Sequence, residues 1–349
     1  MKVSRMLPLA FAAGTLFAVS LIAQEAPAPS AVQTPESAKT PDAAPAMPDL
    51  KNAPEKPEAP HQSWFTDYQS AHKKAVEEHK HLLLVFTGSD WIPLCRIYDR
   101  DILNQPEFID VVSEKFVPVR LDFPKETKLP ANQAKQNQLL LRAYRVTAFP
   151  TVFLTDTEGR PYGVNGYQPV TPANYAQIIN AMRQMAEVRD QYFEKAAAAE
   201  GLEKAKLLVK GVPNLPGNLS ARYYRKQLDE IIANDPKDET GKVAKCKRLI
   251  ADVAYSDQMQ GLEEKVEWGK MLEVTDAYIR DNGLQGVERQ QALMNKVGVY
   301  RKQSNLTEMV RTLLEIVSVD EKSPIARQAQ ALLDKLRAQK LQEDLSPRR

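Results

Sequence analysis

Two short apolar runs, over residues 81–87 and 116–123, mark the first half of the chain. A continuous apolar run of this length, bounded by turn residues, is typical of a parallel strand that is buried on both faces. A third strand over 151–155 and a fourth that ends near Gly166 follow each other closely enough to form a hairpin. The pattern therefore predicts an α/β domain with a mixed sheet.

Amphipathic helices are predicted between these strands. Apolar residues recur at helical spacing over 64–75, which predicts a helix before the first strand. A second helix begins near Pro93, because proline is favoured in a first turn and Ser89 or Asp90 can cap it. Further helices are predicted at 106–115, at 139–144 after a polar loop over 124–138, and from Pro172 onwards.

From residue 174 the pattern is helical almost to the end, because residues that break helices become rare. The helices are predicted at 174–199, 202–209, 221–233, 240–255, 262–281, 287–302, 306–317 and 325–341. Their lengths and short turns suggest stacked hairpins, as in helical-repeat proteins, although no clean period of about 34 residues is present. Such a domain either binds a protein partner or only packs on the α/β half.

The ends of the chain carry no pattern of a folded domain. Residues 1–23 combine basic residues, an apolar core and a small-residue cleavage site, which predicts a signal peptide and a periplasmic or secreted protein. An uncleaved membrane anchor is the alternative. Residues 24–62, rich in proline and alanine, predict a disordered linker, because they cannot bury enough apolar area to offset their ordering entropy. Residues 344–349 predict a disordered tail.

Composition narrows the classes of function. The 349 residues are 43% hydrophobic and 26% charged, as in ordinary globular proteins. Lys+Arg 47 against Asp+Glu 45 leaves no excess of positive charge for a nucleic-acid surface. Two cysteines and four histidines are too few for a zinc ribbon or an iron–sulfur cluster. We therefore predict no cofactor, no metal site and no nucleic-acid partner.

Two motifs in the α/β half resemble those of the thioredoxin-like family. The sequence Gly88-Ser-Asp-Trp-Ile-Pro-Leu-Cys95 is similar to the GSDW-C-x-x-C motif of exported thioredoxin-like proteins, and Phe149-Pro150-Thr151 is similar to their FPT motif. Weaker matches between these two are Asp122-Phe-Pro124, Leu129-Pro130 and Tyr144-Arg-Val146. The resemblance covers about residues 64–185. It implies a thioredoxin fold over 63–188, with Pro150 cis and facing the redox helix, followed by an α-helical domain over 189–343.

The cysteine pair of the family is incomplete in this chain. Where the resemblance places the attacking cysteine the chain has Ile92, and Cys95 holds the second position of the motif. Thiol–disulfide exchange needs one thiolate to attack and a second thiol to release the mixed disulfide. The acid that the family buries on the preceding strand is also missing, because the matching position is Val85 or Phe86. The resemblance and its departures together predict that dithiol catalysis is lost.

Cys95 has two interpretations. The first turn of a helix and the neighbouring Arg96 would lower its pKa, so that it would be a catalytic residue acting as a monothiol. Burial would raise the pKa and make it an inert packing residue. In an oxidising compartment it can also form a disulfide bond with Cys246, but a sequence does not give the distance between them.

These observations predict an exported thioredoxin-fold protein that binds or scaffolds exported proteins or peptides. It would touch no membrane except through an uncleaved anchor. The peptide groove that the resemblance implies consists of Trp91, Ile92, Phe149, Pro150 and Thr151. The alternative is a monothiol thiol–disulfide oxidoreductase that uses Cys95 in cell redox homeostasis, and a third hypothesis is a purely structural envelope protein.

Overall fold

The computed structural model describes residues 48–56, 61, 63–216 and 218–345. The predicted signal peptide, residues 24–47 of the predicted linker and residues 346–349 of the predicted tail lie outside the described residues. Two compact units make up the described chain: the first ends at Val253 and the second begins at Ala254. Within the described ranges, no helix has both the length and the apolar composition that a membrane crossing requires.

The first unit contains a four-stranded sheet with the strand order β2-β1-β3-β4. Its strands are β1 (His81–Thr87), β2 (Phe116–Asp122), β3 (Thr151–Thr155) and β4 (Pro161–Asn165). Strand β1 pairs parallel with β2 and antiparallel with β3, and β3 pairs antiparallel with β4. The mixed sheet and its hairpin are therefore confirmed.

Helices surround this sheet and continue beyond it along the chain. They are α1 (Tyr68–Glu77), α2 (Pro93–Tyr98), α3 (Pro106–Ser113), α4 (Ala131–Ala143), α5 (Pro172–Ala197), α6 (Gly201–Gly211), α7 (Leu219–Tyr223), α8 (Arg225–Asn234) and α9 (Val243–Glu264). Helix α2 continues directly into a π-helical turn over Asp99–Leu103. Helix α4 begins at Ala131, eight residues before the predicted start at residue 139, because its first two turns are polar and carry no apolar stripe.

Strand β1 is buried on both faces of the sheet, as its continuous apolar run predicts. Leu83 and Val85 belong to one hydrophobic cluster, which includes residues of α3 and α5. Leu82, Leu84 and Phe86 belong to a second cluster, which includes residues of α1 and α7. Because successive side chains of a strand point to opposite faces, β1 forms the centre of both cores.

The helices after α5 begin on the same unit as the sheet. Tyr224 lies in the second sheet cluster, and its hydroxyl donates to the carbonyl of Pro161 at 2.9 Å. Arg189 of α5 donates to the Asp156 carboxylate at 2.8 Å and to the Tyr224 hydroxyl at 2.9 Å. The predicted boundary between residues 188 and 189 thus falls inside α5, and as a limit of independent folding it stays a prediction.

The second unit is helical throughout its described part, as predicted. It contains the end of α9, then α10 (Trp268–Asp281), α11 (Gly286–Lys302), α12 (Leu306–Val319) and α13 (Pro324–Leu345). Leu293, Leu313, Ile316 and Leu333 are the centre of its core. Helix α12 follows α10 at the spacing at which α13 follows α11, and a repeat-like organisation stays a prediction.

The break between α9 and α10 lies at residues 265–267 and not at the predicted residues 256–261. Helix α9 runs to Glu264 without the predicted interruption at 256–261. The chain turns instead at Val266, which has a φ of 60°. A β-branched residue rarely adopts this left-handed conformation, so neither glycine nor proline marks the turn in the sequence.

Residues 48–56 of the predicted linker contact α2 and the π-helical turn after it. Residues Leu50–Asn52 form a short 3-10 helix, in which the Asp49 carboxylate accepts a hydrogen bond from the backbone of Lys51 at 3.0 Å. Two arginines of the α2 region donate to backbone carbonyls of this segment. Residues 48–56 are therefore held in a defined conformation, because the guanidinium groups of Arg96 and Arg100 bind two of their backbone carbonyls.

Candidate functional site

A tight turn joins β1 to α2 and carries the first motif. A Cβ at Gly88 would lie 2.7 Å from Trp91 Nε1 and 3.0 Å from Ile92 Cδ1, so these side chains approach the bare backbone closely. The Gly88 N–H donates to Cys95 Sγ at 3.5 Å, and the Ile92 N–H donates to the Gly88 carbonyl at 3.0 Å. The turn therefore gathers the three motif side chains around one glycine.

The sequence predicted that Ser89 or Asp90 caps α2. Instead, Ser89 binds the last residue of β2, and Asp90 binds the loop that follows β2. The Ser89 hydroxyl donates to Asp122 Oδ2 at 2.5 Å, and the Ser89 N–H donates to Asp122 Oδ1 at 3.0 Å. The Asp90 carboxylate accepts from the backbone N–H groups of residues 125–127 at 2.9, 2.8 and 2.9 Å. The N-cap of α2 is Ile92, which has no side-chain hydrogen bond to offer. The predicted cap is therefore wrong, because the Ser89 hydroxyl binds the Asp122 carboxylate and the Asp90 carboxylate binds backbone N–H groups of the loop.

Three aromatic residues, Trp91, Phe123 and Phe149, form a cluster beside this turn, here called the aromatic cluster. The Trp91 and Phe149 rings meet edge to face with centroids 6.3 Å apart, and Phe149 stacks on Phe123 at 5.0 Å. Trp91 Nε1 donates to the Phe123 carbonyl at 2.9 Å, and Lys125 Nζ lies 3.5 Å from the centre of the Trp91 ring. Trp91 nevertheless stays 37% exposed. The cluster is a fixed surface that solvent reaches.

The second motif supplies the other side of the surface. The Phe149–Pro150 peptide bond is cis, as the resemblance implies, and β3 begins directly after it at Thr151. Thr151 Oγ1 donates to the carbonyl of Ala148 at 2.7 Å. Of the five predicted groove residues, Trp91 and Phe149 are in contact, Ile92 lies beside Trp91 in the turn, and Pro150 and Thr151 follow Phe149 in the chain.

Cys95 is fully buried inside α2, with 0% of its surface exposed. Burial raises the pKa of its thiol above the ordinary value and outweighs the hydrogen bond from Gly88. Cys95 and Cys246 are both free, so no disulfide bond joins them. A protonated, inaccessible thiol is a weak nucleophile, and the structure gives Cys95 the surroundings of a packing residue.

A buried ion pair lies one helical turn beyond Cys95. Arg120 of β2 donates from Nη1 to Asp99 Oδ1 at 2.7 Å and from Nη2 to Asp99 Oδ2 at 2.5 Å. The two side chains are only 5% and 1% exposed. Burial alone would lower the pKa of Arg120, but the charge and hydrogen bonds of Asp99 raise it.

The sequence analysis missed three residues that shape this site: Asp99, Arg120 and Lys125. It named Asp122 and Phe123 only as part of a motif match and gave them no contact. The arginine inside an otherwise apolar strand was the one signal for the ion pair. Asp90 was assigned the wrong partner, because the backbone N–H groups that donate to its carboxylate lie 35 to 37 residues away in the chain. The described residues contain no cluster of three or more histidine, cysteine or acidic side chains that a metal ion would need.

Comparison with known proteins shows which family has this sequence. The family model of the thioredoxin-like domain matches residues 68–183. Disulfide bond reductase DsbH of Chlamydia pneumoniae is 32% identical over 117 residues, which are 34% of this chain and 70% of that protein. The chain belongs to the thioredoxin-like family. The predicted family and fold class are therefore confirmed for the first unit.

Two further proteins are similar to this chain. Thioredoxin-related protein DsbJ of Chlamydia pneumoniae is 32% identical over 117 residues, which cover 33% of this chain and 34% of DsbJ. A solved structure of a DsbH oxidoreductase shares 29% identity and covers 39% of this chain and 94% of its own, with a TM-score of 0.34. The chain thus spans about a third of the length of DsbJ.

Proposed function

We propose that this protein binds extended polypeptides in the cell envelope and does not catalyse dithiol exchange. The observation that carries the proposal is the exposed Trp91–Phe149 contact beside a motif whose one cysteine is buried. Aromatic side chains are enriched where proteins bind other proteins, because they offer a large, rigid contact area. The site keeps a binding surface and lacks the second thiol that turnover requires.

The backbone before β3 adds polar recognition to this surface. The ladder between β1 and β3 has Phe86 and Thr151 as its last pair, so the backbone of Phe149 and Pro150 lies beyond the paired region. Backbone groups at an open ladder end are suited to an extended peptide, which adds main-chain hydrogen bonds without depending on side-chain sequence. The proposed ligand is therefore an unfolded or extended segment with an apolar side chain for the aromatic cluster.

The envelope location is part of the proposal. It rests on the predicted signal peptide over residues 1–23 and on the relationship to a protein named as a disulfide bond reductase. Stable protein disulfides form in oxidising compartments outside the cytosol, so proteins related to that chemistry are expected there. The binding partners would be exported proteins or peptides.

The alternative function is monothiol oxidoreductase activity through Cys95. It is favoured by the family, whose member DsbH carries a reductase name, and by the hydrogen bond from Gly88 to Cys95 Sγ. The complete burial of the thiol and its raised pKa weigh against it. The binding proposal has the better support.

A binding experiment tests the main proposal. A fluorescently labelled, reduced and carboxymethylated polypeptide, which cannot form mixed disulfides, is titrated with the mature protein and with Trp91→Ala/Phe149→Ala. The double variant should bind at least about thirtyfold more weakly, since two aromatic anchors of this kind contribute about 1 kcal/mol or more each. Leu139→Ala, at an exposed apolar position of α4, is the control and should bind like the wild type. Equal binding by all three proteins would refute the aromatic site.

Insulin reduction tests the alternative. The wild-type protein should show no catalytic turnover with dithiothreitol as reductant. Turnover that Cys95→Ser abolishes would replace the binding proposal with the oxidoreductase one. A stoichiometric mixed disulfide would not, because one thiol can form it without turning over.

A further inference from the structure

Residues 48–56 of the chain, here called the strap, contact the helix that carries Cys95. Arg100 Nη1 donates to the carbonyl of Asn52 at 2.9 Å, and Arg96 Nε donates to the carbonyl of Pro54 at 2.5 Å. Both acceptors are backbone atoms, so the contact does not depend on the side chains of the strap. Such recognition fits any extended polypeptide.

The spacing of these two contacts shows in which direction the strap runs along α2. Arg96 and Arg100 are four residues apart and lie one turn apart on the same face of the helix. Two residues of extended chain advance about 6 Å, close to the 5.4 Å rise of one helical turn. Between Asn52 and Pro54 the strap therefore moves one turn towards the start of α2, where Ile92 is the next residue on that face.

We propose that the strap is a built-in competitor of the polypeptide that the aromatic cluster binds. The inference rests on the proposed function. Ile92 lies directly beside Trp91, so a polypeptide crossing the aromatic cluster reaches the end of α2 towards which the strap runs. Its carbonyls would then meet Arg96 and Arg100, which the strap occupies in the free protein.

The strap is suited to release because it buries little apolar surface. Leu50, its largest apolar residue, is 52% exposed, and the strap is absent from the hydrophobic clusters of the first unit. An incoming polypeptide offers the same carbonyl acceptors, so the arginines exchange one set of hydrogen bonds for another. The competition therefore needs no rearrangement of the core.

The chain after the strap keeps it close to α2. The N–H of His61 donates to Asn104 Oδ1 at 3.1 Å, and Trp64 Nε1 donates to the carbonyl of Leu103 at 3.4 Å. These contacts fix the chain a few residues beyond the strap. A tethered segment has a high effective concentration at its own site, so it rebinds when the polypeptide leaves.

The test compares Arg96→Ala/Arg100→Ala with the wild-type mature chain. Hydrogen exchange should show that the amides of Asn52 and Ala53, which donate within the short 3-10 helix, lose about tenfold in protection. Asp49→Ala, which weakens the strap from its own side, should lose the same protection. It should also bind the labelled polypeptide about threefold more tightly, because the competing state is weakened while both arginines remain. The double arginine variant should not bind more tightly, because it removes the donors of the strap and of the polypeptide together. Arg225→Ala, which removes an exposed arginine that pairs with Asp229 within α8, is the control and should change neither protection nor affinity.

The two readouts separate the strap from the proposed function. Unchanged protection in both variants, or lost protection with unchanged affinity in Asp49→Ala, would overturn the competition while leaving polypeptide binding intact. Weaker binding by the double arginine variant, with Asp49→Ala binding like the wild type, would also overturn it, because the arginines would then serve the polypeptide alone. Absence of binding in every form would overturn the proposed function and the competition with it.

Discussion

Cys95 shows how burial decides the chemistry of a side chain. Its position near the start of α2 favours the thiolate, because unpaired N–H groups of a first helical turn attract negative charge. The complete burial of the side chain favours the neutral thiol and raises the pKa. The net shift is upward, so the second effect is the larger one. The sequence showed both effects and could not weigh them.

The raised pKa of Cys95 predicts a pH dependence of stability. The folded protein holds the thiol proton at pH values where the unfolded chain, with a pKa of about 8.5, has lost it. The contribution is therefore complete below about pH 8.5 and is lost as the pH rises through the folded pKa. Between about pH 8.5 and 10, the free energy of unfolding should fall more steeply for the wild type than for Cys95→Ala, by at most about 1.4 kcal/mol per pH unit.

Urea unfolding at several pH values measures this difference. The buried tyrosines are present in both proteins, so their titration cancels when the two curves are subtracted. The cavity that Cys95→Ala leaves adds an offset that does not change with pH. Parallel curves would show that the pKa of the thiol is not raised in the folded protein.

The Asp99–Arg120 pair makes a second prediction at the scale of residues. Arg120→Met leaves a buried carboxylate without its partner, which should cost about 3–5 kcal/mol of unfolding free energy. Asp99→Leu/Arg120→Met removes both charges and should recover most of that loss, since desolvation offsets much of the attraction in a buried pair. Chemical denaturation of both variants measures the effect. If the double variant is as unstable as the single one, packing around the pair matters more than its charge.

At the scale of elements, the Asp90 side chain holds three consecutive residues of the loop after β2. Asp90 accepts three backbone N–H groups from residues 125–127, and this places Lys125 over the Trp91 ring. The loop thereby covers one face of the tryptophan and leaves its edge to Phe149. The order of this loop and the shape of the aromatic cluster are coupled.

Asp90→Ala should release this loop. The loss of three hydrogen bonds to a charged acceptor should lower the free energy of unfolding by about 1–3 kcal/mol. Hydrogen exchange should speed up at residues 125–127, and the fluorescence of Trp91 should shift to the red as water reaches its face. Lys128→Ala, in the same loop, is the control and should leave both signals unchanged. Fast exchange in the wild type would contradict an ordered loop.

The sequence predicted elements well where one physical signal dominates. The strands appeared as apolar runs because both faces of the sheet are covered, and the motif with Ile92 and Cys95 placed the site at the end of β1. The turn at Val266 and the partners of Asp90 could not be predicted, because the first lacks a turn residue and the second depends on distant backbone. The hydrogen bonds of residues 48–56 depend in the same way on arginines that tertiary folding brings near.

At the scale of the whole molecule, the compact unit that contains the sheet extends beyond the residues that match the thioredoxin-like family. The match stops at residue 183, whereas the first compact unit extends to Val253. Tyr223 stacks on Tyr144 with ring centres 5.5 Å apart, and Tyr224 is fully buried against the sheet. The segment after α6 therefore completes a face of the sheet core.

This organisation predicts that residues 48–188 do not fold independently, whereas residues 48–253 do. The shorter chain lacks Leu215, Leu219, Tyr223 and Tyr224, which pack on the sheet. Burying each such side chain contributes about 1.5–3 kcal/mol, so their joint loss equals a large part of the 5–15 kcal/mol that stabilises a typical domain. Urea unfolding and near-UV circular dichroism of the two chains measure the difference. A cooperative transition of residues 48–188 at the midpoint of the longer chain would show that the sheet folds without the helices that follow it.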